Sequence, residues 1–154
     1  MKYRMNDASL WIPDGWFEQT LHILSSDEPG KPGISLVVNA EMLDKKKDAK
    51  SYKDMALSRF PIELPGFSLL QEKEIPMLEG ATKGWLLEHT WKAETGLMHH
   101  YQALCVYKRN TGIASEVNKG YSITMSMMEA LHKPELEKTF KTIANSFKLE
   151  RYGG

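Results

Sequence analysis

The sequence predicts an α+β domain built on a single antiparallel sheet of six to seven strands, with helices packed on one face. Three observations predict it. Seven short segments alternate apolar and polar residues with period two, the mark of a pleated strand with one side buried. Two further segments carry apolar residues at helical spacing. Along the chain these fall in the order strands, helix, strands, helix, which suits helices laid on an antiparallel sheet.

Residues 8–12 form a short first strand that stops at Pro13-Asp14-Gly15. In residues 17–25, Leu21 and Ile23 share one face, and Thr20, His22 and Leu24 the other. Residues 34–40 place Ile34, Leu36 and Val38 on one side and Ser35, Val37 and Asn39 on the other. A first helix over 50–61 aligns Tyr52, Met55, Ala56, Leu57 and Phe60 in an apolar stripe. Strands follow at 67–75, 83–92, 97–108 and 119–127, with a hairpin at Glu94-Thr95-Gly96 and a turn at Asn110-Thr111-Gly112. A second helix over 134–147 opens with Pro134 and places Glu135 and Glu137 near its positive end. Its Leu136, Phe140, Ile143 and Phe147 fall at i, i+4, i+7 and i+11, one continuous core face.

A length of 154 residues fits one domain, taken here as 1–149 with a short tail at 150–154. Hydrophobic residues at 42% and charged residues at 26% match a globular protein, which argues against a disordered or membrane-spanning chain. The formal net charge is zero, so the basic excess of a nucleic-acid binder is missing. The densest basic run, Lys45-Lys46-Lys47, sits between Asp44 and Asp48 and reads as a solvated loop. A single cysteine, Cys105, suits a reducing compartment. No apolar run follows the basic residues at the start, so neither a leader nor direct membrane insertion is expected. A cytoplasmic location follows.

The second face of the predicted sheet is the unusual feature. A sheet covered on one side normally shows water a polar face. Here Ser35, Val37 and Asn39 alternate with the core residues of one strand. Met98, Gln102, Leu104 and Val106 do so in another, and Ser122, Thr124 and Ser126 in a third. Aliphatics mixed with small hydroxyls and amides suit a ligand that is itself apolar yet offers small residues or backbone for hydrogen bonds. An ordinary half-exposed sheet and a dimer interface are the competing explanations.

Catalytic chemistry is not legible. His99 and His100 are adjacent in a strand, so they point to opposite faces and cannot share one metal by themselves. His22, His89 and His132 join no ligand cluster at metal spacing. Cys105 lies between Leu104 and Val106 and reads as a buried, inert thiol. Glu72, Glu74, Glu79 and Glu88 could supply a carboxylate pair, but glutamates are common on sheet surfaces and their spacing points to no chemistry. No enzyme, no cofactor and no metal are expected.

The opening Leu10-Trp11-Ile12-Pro13-Asp14-Gly15-Trp16, the amphipathic strand through Leu21 and Ile23, Leu64-Pro65-Gly66-Phe67, the Trp91 strand and Tyr101-Gln102 together resemble the DcrB-like family, over residues 1–149. That resemblance implies a Mog1/PsbP-like fold. Short members of the family look like the Eag chaperones of type VI secretion systems. These bind the N-terminal transmembrane segments of PAAR and Rhs-type effectors and help load them onto the VgrG spike. It further implies a homodimer. Carried onto this chain, the groove aliphatics fall on Leu21, Ile23, Val37 and Met98, and the groove hydrogen-bonding residues on Ser35, Asn39 and Gln102. Two positions depart from the family pattern. Ala56 stands where a relative has glutamine, with Ser58 and Arg59 as nearby polar substitutes, and Asn39 stands where serine is expected. A carrier of a lipid or other small apolar ligand on the same face is the alternative function.

Overall fold

The computed structural model describes residues 2–4, 9–11, 20–26, 33–44, 46–77, 82–109 and 117–147. Strands β1 (Lys2–Arg4) and β2 (Ser9–Trp11) pair with each other as a separate antiparallel ribbon. The first strand read from the sequence, at 8–12, therefore stands outside the main sheet. Its short apolar stretch finds a partner in Lys2–Arg4, which shows no alternation of its own.

The main sheet is antiparallel throughout and contains β3 (Thr20–Ser25), β4 (Ser35–Leu43), β5 (Ser68–Met77), β6 (Thr82–Ala93), β7 (Gly96–Arg109) and β8 (Val117–Met128). Its spatial order is β3-β4-β8-β7-β6-β5. The single antiparallel six-stranded sheet and the α+β class match the sequence expectation. Helix α1 (Ala49–Glu63) carries the chain from β4 to the far edge at β5, and α2 (Glu135–Ser146) follows β8 through a 3-10 turn at Glu129–Leu131.

Local chemistry sets these boundaries. Asp48 caps α1: its Oδ1 accepts from the Ser51 backbone N–H at 2.8 Å, and Ser51 Oγ accepts from the Asp48 N–H at 2.9 Å. Beyond the helix, Gly66 takes φ 67°, a left-handed conformation that costs other residues free energy. Gly96 (φ 134°) closes the β6–β7 hairpin in the same way.

Directly paired residues of an antiparallel sheet share a face, so the register sorts the side chains. One face carries Ile75, Leu86, Tyr101, Ala103, Cys105, Ile123 and Met125, and α2 covers it through Phe140 and Ala144. The other carries Leu87 and Leu104, and α1 covers it through Tyr52 and Ala56. The two helices thus lie on opposite faces, not on one as expected from the sequence. The reason is visible in β6, where consecutive residues Leu86 and Leu87 are both fully buried. A strand apolar on both sides needs cover on both sides.

Candidate functional site

Helix α1 covers only part of its face. Tyr52 approaches Gly120 and packs with Leu43 and Val106 at one end, while Phe60 packs with its ring tilted against Phe67 and His89 at the other. Lys53, almost fully buried, ion-pairs with Glu72 of β5 and lies 4.3 Å from the centre of the Trp85 ring. These contacts anchor α1 over β5, β6 and one end of β7, β8 and β4. Among the described residues, no helix covers the rest of the face, a trough bounded on one side by α1.

All seven residues singled out from the sequence lie on that trough face. Leu21 pairs with Asn39, Ile23 with Val37 and Ser25 with Ser35 across β3–β4. Asn39 then pairs with Ser122, Val37 with Thr124 and Ser35 with Ser126 across β4–β8. Thr124 pairs with Gln102, Ser126 with His100, and Met128 with Met98 across β8–β7. At the β3 edge Leu21 is 58% and Ile23 68% exposed, values high enough to leave both open to a partner. Asn39 is exposed, and Ser35, Val37, Met98 and Gln102 are half-buried. Four neighbouring strands spaced about 4.8 Å apart give a floor ~14 Å wide. An α-helix with its side chains is about 10–12 Å across and fits that width.

The floor is wired by hydrogen bonds. Gln102 Nε2 donates to Ser122 Oγ at 2.9 Å. Trp91 Nε1, which can only donate, gives its proton to His100 Nε2 at 2.7 Å. His100 is therefore neutral with its proton on Nδ1, which donates to Ser126 Oγ at 2.7 Å. Ser126 keeps its own hydroxyl proton. Burial, reinforced by nearby His99, pulls His100 down to about 4, so the neutral ring persists at ordinary pH. His89 stacks on His100 with ring centroids 5.0 Å apart and is pulled down to about 3 by burial, with His100 and His99 adding to the effect.

Sequence reading missed His100 and Trp91 as parts of this floor. The signal was available, since His100 has the same strand parity as Met98 and Gln102. Ala56 packs beneath α1 against Leu87 and Leu104, and Ser58 bonds to its own helix at the Met55 carbonyl, 2.7 Å away. Cys105 is buried on the opposite face, where burial pushes its thiol up to about 12 and keeps it protonated and unreactive.

A six-stranded antiparallel sheet with one helix on each side defines the class: an α+β sheet protein in which, among the described residues, no helix covers half of one face. The chain belongs to the DcrB family, whose sequence model matches residues 7–144. It is similar in structure to PA94 from Pseudomonas aeruginosa, a protein of unknown function, with TM-score 0.70 and 21% identity over 97% of this chain and 96% of that one. It is also similar to LpqN of Mycobacterium tuberculosis, a protein involved in cell envelope biogenesis. There the TM-score is 0.55 and the identity 13%, over 89% of this chain and 78% of the other. No curated protein matches the chain. Among the described residues, no helix is long and apolar enough to cross a membrane.

Proposed function

We propose that the trough holds an apolar α-helix of another protein in water, without catalysis. The clients are the N-terminal transmembrane segments of PAAR and Rhs-type secretion effectors, shielded in the cytoplasm and delivered with the effector to the VgrG spike. A homodimer presents two troughs and grips two such helices. One observation supports this above the rest: Leu21, Ile23, Val37 and Met98 share a face with Ser35, Asn39 and Gln102, and Leu21 and Ile23 stand mostly exposed.

The physical case runs from the client's needs. An apolar helix of ~20 residues exposes enough surface in water to aggregate. Covering it returns roughly 25 cal/mol per Å² of apolar area, set against the cost of ordering both partners. Hydroxyls and amides on the floor replace the hydrogen bonds such helices make to one another in a membrane. The same groups disfavour a plain hydrocarbon guest, which would leave them unpaired.

Co-expression with an effector's N-terminal segment is expected to yield a soluble complex, where the segment alone is insoluble. Recovery of the segment only in inclusion bodies would remove the reading. Likeness in fold to LpqN favours a second one, an envelope-associated carrier of a lipid or other small apolar ligand on the same trough. It expects a stoichiometric lipid in mass spectra of the purified chain, displaced by substitution of Leu21 or Val37.

A further inference from the structure

On the face away from the trough, where β6 and β7 meet the 3-10 turn, two imidazoles and two carboxylates converge. His99 of β7 is buried at 2% exposure. Its Nε2 lies 2.6 Å from Glu88 Oε2 of β6, and its Nδ1 lies 2.6 Å from Glu129 Oε2 at the start of the turn. His132, just beyond the turn, stacks on His99 with ring centroids 3.7 Å apart. Its Nε2 sits 2.8 Å from the Tyr101 hydroxyl and 3.8 Å from Glu88 Oε2. One ligand atom from each of Glu88, His99 and His132 falls within 4.8 Å of the others.

We propose that Glu88, His99 and His132 bind a divalent first-row transition cation, best matched by zinc. Two imidazoles with one carboxylate form an established ligand set for such ions, with water left to complete the shell. The surroundings have the supports that metal-binding side chains require. Glu129 accepts from His99 Nδ1 and so turns Nε2 toward the ion. Gln71 Nε2 donates to the other oxygen of Glu88 at 2.8 Å and fixes that carboxylate.

Charge favours the cation as well. Glu88 and Glu129 bring two carboxylates to one point, and a divalent ion balances them. The neighbouring Glu137 is already served by Gln71, Lys73 and Lys141. Coordination displaces the Nε2 proton to solvent and widens the His99–Glu88 gap from 2.6 Å. The separation expected of tetrahedral ligands is about 3.3 Å. His132, whose side chain is 19% exposed, tilts off the stack to meet the ion. Bound there, the ion ties β6 and β7 to the entry of α2, the helix that roofs the core.

The test uses the full chain, stripped by chelator and then titrated with zinc chloride and, separately, cobalt(II) chloride. One equivalent is expected to bind. Cobalt should show the visible absorption of a low-symmetry nitrogen–oxygen site, and zinc at 100 times Kd should raise Tm by about 5 °C or more. His132→Gln and Glu88→Gln are each expected to weaken zinc at least tenfold, and Glu129→Gln by about tenfold. Since Glu88 and His99 are the more deeply buried ligands, His132 gives the decisive variant, with circular dichroism confirming its fold. Absence of saturable binding by the native chain, or equal affinity in His132→Gln, would overturn the proposal.

Discussion

Two halves of one sheet face behave differently, and the difference is set by what stands above them. Over β5, β6 and one end of β7, helix α1 seals Leu87 and Leu104 at 0% and 1% exposure. At the β3 edge, the same pleated surface carries Leu21 and Ile23 largely in the open. Both halves carry apolar side chains, but the open half interleaves them with the hydroxyls and amides of Ser35, Asn39, Thr124 and Ser126, where the covered half has the carboxylates of Glu72 and Glu74 at its β5 edge. Apolar content alone therefore does not separate core from candidate site. The hydroxyls and amides do, because a folding core has no use for so many polar groups facing one way.

Substitutions in the sealed half should cost stability and those in the open half should not. Leu87→Ala is expected to lower the unfolding free energy by about 2–5 kcal/mol in urea denaturation, since α1 leaves a cavity that cannot collapse freely. An equal loss from Ile23→Ala would erase the contrast.

Acid should act next most strongly, at the border between the halves. His89 lies under Phe60 and Phe67, and its Nδ1 has no hydrogen-bond partner among the described residues. His100 lies beside it on the trough floor. Burial holds them at about 3 and about 4, below the ordinary 6.5, so the unfolded chain binds protons that the folded chain refuses. Their contribution is complete above pH 6.5. It declines as pH falls from there to about 4 for His100 and to about 3 for His89. Each histidine accounts for up to about 1.4 kcal/mol per pH unit in that window. Unfolding curves at pH 7 and pH 5 measure this, and His89→Phe should flatten the slope.

Removing the cap of the covering helix is a milder way to loosen the sealed half. Asp48→Ala is expected to cost about 1 kcal/mol, read as a lower urea midpoint with an unchanged slope. The smallest effect belongs to the open half, where Ile23→Ala should stay within about 0.5 kcal/mol of the native chain.

Period-two alternation made most of the sheet legible, and the spacing of Leu136, Phe140 and Ile143 made α2 legible. Parity placed Leu21, Ile23, Ser35, Val37, Asn39, Met98 and Gln102 on faces of their own strands. Only the register could show that these faces are the same one, through pairs such as Ile23–Val37 and Thr124–Gln102. Helix placement was misjudged because apolar residues on both sides of β7 were attributed to a ligand, although part of them lies under α1. The cluster of Glu88, His99 and His132 was out of reach for a related reason. His99 and His100 do point to opposite faces, but His99 meets Glu88 across a β6–β7 pairing and His132 through a 3-10 turn, and neither is a local spacing.

The central claim is that the open half, and not the sealed one, receives an apolar helix. It is tested most directly by the affinity of a client's N-terminal helix, in a soluble fusion, for the Leu21→Asp/Val37→Asp chain. The account expects binding to be lost while circular dichroism and the urea midpoint stay near native. Undiminished binding by that folded double variant would contradict it.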